Sequence, residues 1–440
     1  MISQKTFSFK YFEPVDRIAE TQIRDIDLIK DPTIRDFRWH FLSRYDTGTQ
    51  IDPKQKEWKK LISQKEISNL KIAGNPTIKE FASPKMPGTR GEYAGVAHIE
   101  ENHISYWIRE DYRHKDVRFC HFDQAIRENL FNDDQFAQIK NTLGRDRFSL
   151  LALGASKHSL CVSIPDDLEV EQPFLIQITN METSVIMPVV INVIAGKKAR
   201  VKLIIEIDSS SQGLPSMILP IELHVFAEDS SNIDLVEHQK TNHKAHIFSH
   251  QQFFLQEDAS LNYLLIEQGG ELVKRNLSIQ LEGQEAAAEL TGLYNLSGKQ
   301  KIIFDTYQNH LASNTKSNLL FKGVMDEGSY SLWKGNVFVA KNTQGVDGYQ
   351  MNNNLLINHS AQAESIPGLE IMADDVRCSH GVTISDIDHE QLFYLKSRGI
   401  GEIAGKKLIV DGFTRDALRR IRSDEIREYA KKELGFHEEF

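Results

Sequence analysis

FLIQI at residues 174–178 is the first of a series of short apolar runs that follow one another closely along the chain. The next runs are VVINVI (189–194), VKLIIEI (201–207), IELHVF (221–226), LNYLLIE (261–267), LSIQLEG (277–283) and NLLFKGV (318–324). They are rich in β-branched residues, several alternate apolar with polar positions, and small or acidic turns separate them, as is typical of strands. We therefore predict a strand-rich core between about residues 150 and 385.

Three β architectures agree with these runs: a sandwich, a barrel and a coiled stack of short strands. The strands are irregularly spaced, and they are not joined by the Asn-Gly type of dipeptide that makes tight hairpins. A solenoid needs no such hairpins, because each coil buries its apolar face against the next. We predict a mainly β protein whose centre is a β-solenoid with flanking helices.

Helical patterns lie on both sides of the predicted solenoid. Apolar residues recur at helical spacing in residues 32–45, 56–72 and 123–143, so the N-terminal region 1–145 is predicted to be helix-rich. The strand pattern then occupies residues 146–385. Residues 386–440 return to helical periodicity and are predicted to form a small C-terminal subdomain.

Two helices are predicted in the C-terminal subdomain. Asp388 and Gln391 have the spacing of a capping box at the start of the first helix, and Arg398-Gly399 is a good C-terminal stop. A second helix is predicted over residues 414–436, where apolar residues form one stripe. A helical tail beside a strand-rich body caps that body, docks a partner, or does both.

Composition limits the function classes. The net charge of -10, with 52 basic and 62 acidic residues, argues against nucleic acid as the main partner. No apolar run reaches the roughly 18 residues of a membrane span, and the first residues lack a signal-peptide pattern, so we expect a cytoplasmic protein without a membrane partner. The three cysteines include no CxxC pair, which disfavours a disulfide scaffold and a self-contained metal site.

The octapeptide DDVRCSHG (374–381) concentrates the chemistry of the chain. Cys378 and His380 are two apart and would share one face of a strand, where a soft thiolate and a neutral imidazole can ligate iron. Two ligands do not complete a tetrahedral site, so a second chain would supply the rest. A polar turn is the simpler alternative, while a Cys–His nucleophile is disfavoured because no oxyanion hole is evident. Asp374 and Asp375 are interpreted as a turn before the strand.

Other motifs are weaker. The loose cluster of His238, His243, His246 and His250 lies in a strand-like pattern, which favours packed or solvated histidines over a metal site. The sequence contains neither a Walker A motif nor a GxGxxG after a strand, so no nucleotide site is predicted on this chain.

Several motifs resemble the SufB/SufD family of SUF iron–sulfur cluster assembly scaffold proteins. SIPGLEIMADDVRCSHGVTISDIDHEQLFYLKSRGI (365–400) is similar to the family's C-terminal signature, and residues 310–356 and 290–300 match motifs upstream of it. Cys378-Ser379-His380-Gly381 and the low cysteine count are typical of the SufD type. Val382 and Gly401 differ from the usual family residues.

The resemblance implies a fold and a role. The implied fold is a central right-handed parallel β-helix with a helical N-terminal region and a small helical C-terminal subdomain. The implied partners are a SufB-like paralogue, which pairs through the β-helix, and a SufC-like ATPase, which docks on the C-terminal helices. A homodimer is the alternative when the chain is isolated.

The resemblance also implies site residues. His380, and with it Cys378, would serve cluster assembly and metal binding at the SufB-like interface. The ATPase contact would lie near Phe393, Tyr394, Arg398 and Phe413. The cargo would be a nascent, transient iron–sulfur cluster shared with the SufB-like partner, and a flavin is implied only at the level of the complex. The chain itself would be a non-catalytic subunit.

Two alternative functions remain at this point. One is a SufB-like scaffold that stands alone and holds a cluster itself, which the cysteine count disfavours. The other is a carbohydrate-active β-helix enzyme, which needs carboxylates grouped on one solenoid face. Acidic residues here fall mostly at turns, and that reading gives the C-terminal helices no role.

Overall fold

The computed structural model describes residues 26, 28–47, 71–81, 92–141, 145–179, 185–209, 217–421 and 423–435. Within these ranges the first ten strands are β1 (Lys71–Ile72), β2 (Thr77–Glu80), β3 (Gly95–Ile99), β4 (His103–Ile108), β5 (Arg118–Cys120), β6 (His158–Ile164), β7 (Phe174–Thr179), β8 (Val185–Ile186), β9 (Val189–Ala195) and β10 (Arg200–Asp208). The remaining strands are β11 (Met217–Ala227), β12 (Asn232–Lys240), β13 (Ala245–Leu255), β14 (Ser260–Gln268), β15 (Leu272–Leu281), β16 (Ala287–Leu296), β17 (Lys301–His310), β18 (Lys316–Met325), β19 (Tyr330–Val339), β20 (Val346–Leu356), β21 (Gln362–Ile371) and β22 (Val376–Asp386).

Helices flank the strands on both sides. The described helices are α1 (Pro32–Thr47), α2 (Glu110–Arg113), α3 (Phe122–Arg127), α4 (Asp133–Lys140), α5 (Arg147–Ala155), α6 (His389–Ser397), α7 (Glu402–Leu418) and α8 (Asp424–Glu433). Five of them precede β6 and three follow β22.

The strands form two sheets that the chain visits in turn. One sheet has the order β21-β19-β17-β15-β13-β11-β9-β6-β5, with β8 and β1 beside β11, and the other has the order β2-β4-β3-β7-β10-β12-β14-β16-β18-β20-β22. From β9 onward successive strands alternate between the sheets, and every strand pairs in parallel with the strand two positions along the chain. This is a parallel β-solenoid, as the sequence predicted, and only β3–β4 and β5–β6 are antiparallel pairs among the described strands.

A turn with a left-handed residue recurs once per coil. Positive φ angles occur at Asp167, Lys198, Ser230, Asp258, Glu285, Asn314 and Asn342, which are 27 to 32 residues apart. These turns stack, and the amide of one bonds to the carbonyl of the next, as in Lys198 N to Asp229 O and Ser230 N to Glu257 O. The residue types differ from coil to coil, so the repeat is a property of the backbone and is hidden in the sequence.

Three apolar layers hold the molecule together. The lumen between the sheets is filled by inward-facing residues such as Ile221, Leu235 and Phe304. A second layer joins the outer face of the first sheet to the N-terminal helices, where Phe148 stacks on Phe248 at 3.7 Å between ring centroids. A third joins the outer face of the second sheet to α7 and α8.

Several sequence predictions of elements are confirmed. All seven apolar runs lie in strands, although LSIQLEG extends two residues past the end of β15, and the predicted helix over residues 32–45 is α1. Asp388 caps α6 by accepting from the amides of Glu390 and Gln391, and Gly399 follows with a φ of 84°. The prediction over residues 56–72 lies outside the described residues except for its last two, which are in β1.

The structure differs from the helical patterns in two places. The pattern noted over residues 123–143 corresponds in the described residues to two short helices, α3 and α4, because Asn132 starts a new helix with a complete capping box. The single helix predicted over residues 414–436 is wrong: Thr414 lies inside α7, and Ser423 caps α8 by accepting from the amide of Ile426. In addition, β3 and β4 lie before residue 146 and extend the second sheet through β7, so the ladder of strands starts within the region predicted to be helix-rich.

None of the helices in the described part of the chain is long and apolar enough to cross a membrane.

Candidate functional site at the open end of the solenoid

Cys378 and His380 lie on β22, the last strand of the second sheet. Their partners in register on β20 are Gly348 and Gln350, and Gln350 is fully buried in the lumen. Because parallel partners in register point to the same side of a sheet, Cys378 and His380 both face the lumen side. The predicted sharing of one strand face is confirmed.

The lumen is open at this end. β21 and β22 each have one neighbour strand, so in the described chain no further coil covers their lumen-facing row. Residues that would be core in a central coil are therefore exposed, namely Leu369 (38%), Ile371 (40%), Val382 (40%) and Ile384 (43%). The thiol and the imidazole therefore lie in a row of lumen-facing apolar residues that is exposed at this end of the solenoid.

Cys378 borders a small space at Gly348. A Cβ added at Gly348 would lie 3.3 Å from Cys378 Sγ, 3.2 Å from His310 Nε2 and 3.0 Å from Val337 Cγ1. Glycine at this position therefore leaves a narrow gap between the thiol and a second histidine, and a methyl group would fit there only if its neighbours shifted. Partial burial raises the pKa of the Cys378 thiol, and the nearby Gly348 amide opposes this in part.

His310 is a neutral, fully buried imidazole whose hydrogen bonds assign its tautomer. Thr315 Oγ1 donates to the carbonyl of Ala312, so it accepts from His310 Nδ1 at 2.8 Å. Gln308 donates to Ser317 Oγ, which in turn donates to His310 Nε2 at 2.7 Å. Burial lowers the pKa of His310 to about 4. His310 begins the matched motif over residues 310–356, but nothing in the sequence indicated that it lies close to Cys378.

The donor set at the open end is small. The described residues contain no cluster of three or more His, Cys, Asp or Glu side chains arranged to hold a metal ion. Asp374 and Asp375 lie at bends before β22, and the carbonyl of Asp375 accepts from the amide of Gly345. Thiolate and imidazole are chemically suited to iron, and here Cys378 is partly exposed and His380 exposed on one strand face.

Polar side chains line the lumen below the open end. Asn352 and Asn354 bond to each other and to Tyr294, Ser365 donates to Asn352 across the lumen, and Gln350 donates to the carbonyl of Gly368. The sequence signal was present, because QMNNNLL places polar residues at alternate positions of a strand. It was missed because alternation alone does not say which face is inside.

Deeper in the lumen lies a buried charged group. Arg275 pairs with Glu237 and Glu267, and Tyr263 donates to Glu237 at 3.0 Å. Burial raises the pKa of Glu267 to about 7, although Arg275 acts to lower it. No sequence pattern indicated this group, because its members lie on the three strands β12, β14 and β15.

The histidine cluster is dispersed by the fold. His238 lies on β12 and contacts Tyr429 and Gln268, whereas His250 lies on β13 beside Glu222. His246 is buried on β13 and His243 is exposed in a turn. The prediction that these are packed or solvated histidines is confirmed.

A second candidate surface lies on the C-terminal helices. Phe393 is 73% and Tyr394 57% exposed, with the Arg398 guanidinium 5.2 Å from the Tyr394 ring. Ile403 (88%) and Leu408 (48%) add apolar area that the sequence analysis did not single out. Phe413 differs from these, because its ring lies 4.6 Å from Lys322 Nζ on β18 and its carbonyl accepts from the same amine.

Two clefts in the described chain are large enough to be considered as flavin sites. One, of about 550 Å³, is lined by amides and by Asp134, Glu228 and Glu282, and the other, of about 520 Å³, includes Asp386 and Asp388. Neither lining includes Lys or Arg, so neither cleft fits the phosphate of a flavin nucleotide.

The described part of the chain is thus an open-ended parallel β-solenoid that carries a thiol and an imidazole on its last described strand. A family model described as SUF system FeS cluster assembly, SufBD core domain, matches residues 177–413, which is more than half of the chain. The chain belongs to this SufBD family of the SUF system.

Curated relatives agree with this family. The chain is 32% identical over 197 residues to the iron–sulfur cluster assembly protein SufD of Escherichia coli. These residues cover 44% of this chain and 46% of that protein. A SufBD family protein of Mycobacterium leprae is 32% identical over 191 residues, covering 42% and 48% respectively. A chloroplastic protein of Arabidopsis thaliana, ABCI7, is 30% identical over 186 residues, covering 41% and 39%. The matched stretch thus spans about half, or less, of each relative.

Proposed function

We propose that this chain is a SufD-like, non-catalytic scaffold subunit that completes an iron–sulfur assembly site together with a SufB-like paralogue. The observation that carries the proposal is the open last coil, where Cys378 and His380 share an exposed, lumen-facing row with apolar residues. A second solenoid stacked on this coil would bury the apolar row and bring its own ligands opposite the thiol and imidazole.

The chemistry of the pair fits a shared site. Thiolate sulfur and neutral imidazole nitrogen are both ligands of iron in clusters, and a cluster iron needs four ligands in all. Cys378 and His380 offer two, and inorganic sulfide with the partner's residues would offer the others. His380 is the more exposed of the two, so we give it the principal role and Cys378 a supporting one.

The C-terminal helices would couple the scaffold to ATP hydrolysis on another subunit. Phe393, Tyr394 and Ile403 present apolar area that the solenoid does not cover. The same subdomain is fixed to the second sheet by Lys322, which bonds to Asp416 at 2.6 Å. We propose that a SufC-like ATPase docks on this exposed surface and that its movement is transmitted through α7 to the open coil.

The test is co-expression with the SufB-like and SufC-like proteins of the same organism, followed by anaerobic purification. We expect His380→Ala to abolish the accumulation of iron and acid-labile sulfide while the three-subunit complex stays intact by size exclusion. His359→Ala is the matched control, because His359 is also exposed but lies in the turn before β21. A normal iron and sulfide content in the His380→Ala complex would refute the proposed role.

Purification of the chain alone separates the proposal from its alternatives. The proposed subunit should carry no stable cluster by itself, whereas a stand-alone SufB-like scaffold would retain iron and sulfide. A carbohydrate-active enzyme would bind neither companion protein. Failure to bind the SufB-like and SufC-like proteins would therefore contradict the proposal even before cluster content is measured.

A further inference from the structure

Two cysteines that are far apart in sequence face each other at the opposite end of the solenoid. Cys120 ends β5, Cys161 lies within β6, and the two are directly opposite in the antiparallel β5–β6 pair. Directly opposite residues of antiparallel strands have Cα atoms about 4.5–5.5 Å apart, which lies within the range of about 4.4–6.8 Å seen in disulfides. The backbone therefore holds the two residues at bonding separation.

The two thiols also share one buried environment. Both side chains lie in the apolar layer between the first sheet and the N-terminal helices. Interaction between the two thiols lowers the pKa of Cys120 and raises the pKa of Cys161, which burial raises as well. Cys120 is therefore the thiol that ionises first, with Cys161 already in position beside it.

We propose that Cys120 and Cys161 are a redox-active dithiol whose reversible disulfide fastens the N-terminal helices to the solenoid. Low-molecular-weight disulfides such as oxidised glutathione are the class of oxidant. The Cys120 thiolate attacks one oxidant sulfur and releases one small thiol, and Cys161 then attacks the Cys120 sulfur of the mixed disulfide and releases the second. The two protein thiols lose two electrons and two protons, and the oxidant disulfide is reduced to two thiols.

Access to the pair runs through the edge of the sheet. β5 is a three-residue strand and the terminal strand of its sheet, so few hydrogen bonds hold it in place. Short edge elements of this kind open locally without global unfolding. Cys120, which is 4% exposed, would meet the oxidant during such an opening.

The disulfide would close a loop that contains α3, α4 and α5. This loop carries Arg145, whose guanidinium bonds to Glu222 and Gln252 of the first sheet, and Phe148, which stacks on Phe248. A covalent link restricts the unfolded chain and so stabilises the folded loop. Cys378 lies on β22, the last strand of the second sheet, and takes no part in the proposed disulfide. The proposal does not rest on the role of Cys378 or on cluster assembly.

The test treats the native full chain with oxidised glutathione, quenches it in acid, and alkylates it with N-ethylmaleimide under denaturing conditions. We expect the number of adducts to fall from three to one, a linked peptide pair containing Cys120 and Cys161, and full reversal by dithiothreitol. The oxidised wild type should melt at a higher temperature than the reduced form. Cys378→Ser should still form the disulfide, whereas Cys120→Ser and Cys161→Ser should not.

Three results would overturn the proposal: retention of all three adducts, a lasting mixed disulfide on Cys120 with Cys161 still free, or a crosslink through Cys378. The wild-type measurement alone decides between these results and the expected one, so a serine variant that fails to fold leaves the test intact.

Discussion

Glu237, Glu267 and Arg275 stand in the lumen of the solenoid, where most neighbouring side chains are apolar. A buried ion pair gains little net stability, because desolvation offsets the attraction, but removal of one partner leaves an uncompensated charge. Here two carboxylates share one guanidinium, and within the described residues Oε2 of Glu267 has no hydrogen-bond partner. This environment favours the neutral form of Glu267 in the folded state.

Glu267 gives stability a specific pH dependence. Its pKa is about 7 when folded against an ordinary 4.5, so the folded state holds an extra proton between these values. Its contribution is therefore fully present below pH 4.5 and is lost as the pH rises through 7, by about 3 kcal/mol in total for a shift of this size. Glu267→Gln should remove this loss, measured as the urea midpoint at pH 5.5, 6.5 and 8.

The test compares the urea midpoints of the wild type and of Glu267→Gln at each pH. Wild type should lose stability relative to Glu267→Gln as the pH rises, and a difference that is independent of pH would contradict the assignment. The contribution of Glu222 to stability has the opposite pH dependence. Burial alone would raise the pKa of Glu222, but Arg145 and His250 lower it well below the ordinary value. Its contribution is lost only at acid pH, below the range used here.

Gly348 is expected to matter for cluster assembly because it keeps the space between Cys378 and His310 open. In Gly348→Ala the new methyl group would lie 3.0–3.3 Å from Val337, His310 and Cys378. We expect the iron and sulfide content of the complex to fall several-fold while the subunits stay associated. Gly381→Ala on the neighbouring strand β22 is the control, since its methyl group would meet the flexible end of Met351 at 3.2 Å. Equal cluster yields in the two variants would show that the space is not used.

At the scale of elements, the C-terminal helices have two different faces. Leu418, Ile421, Ile426 and Ala430 are buried against the second sheet, with Val236 and Leu264 among their neighbours. Phe393, Tyr394, Ile403 and Leu408 point away from the solenoid and are about half to nine-tenths exposed. The subdomain thus packs on the outer face of the second sheet and keeps a separate apolar surface. Docking of a partner on that surface stays a prediction.

The two faces predict that one truncation lowers stability and the other weakens binding of the ATPase. Ile426→Ala should cost about 2–5 kcal/mol of local stability, because it leaves a cavity in a packed layer, and should speed amide hydrogen exchange in α8. Phe393→Ala should change stability by less than about 0.5 kcal/mol, since the ring is 73% exposed. Binding to the SufC-like ATPase, measured by titration calorimetry, should weaken at least tenfold for Phe393→Ala. Unchanged affinity would place the ATPase elsewhere.

At the scale of the whole molecule, the two ends of the solenoid are unlike. At the first end β3, β4 and α2 supply Ile99, Ile108 and Tyr112 to the lumen core. At the last end Leu369, Ile371, Val382 and Ile384 of the lumen-facing row are exposed, and β21 and β22 each have one neighbour among the described strands. Stacked coils are stabilised by their neighbours, so an uncovered terminal coil is a natural place for a second chain.

Charges placed on the last coil should prevent association with the SufB-like partner. In the double variant Val382→Asp with Ile384→Asp, two side chains that are about two-fifths exposed become carboxylates that cannot be buried without cost. We expect loss of the heterodimer by light scattering, with an unchanged circular dichroism spectrum. Tyr307→Asp is the control, because Tyr307 is 40% exposed on β17, which lies inside the first sheet. Retained association in the double variant would contradict the open-end interface.

Strand content, the solenoid and the shared face of Cys378 and His380 could be predicted from the sequence, because alternation of apolar residues and the two-residue period of a strand are local properties. The residues that meet across coils could not be predicted in this way. The gap between His310 and Cys378, the pairing of Arg275 with Glu237 and Glu267, and the opposition of Cys120 and Cys161 all join residues from different strands. The stacked register of coils that are 27 to 32 residues long sets these contacts, and turns of varied residue type set that register.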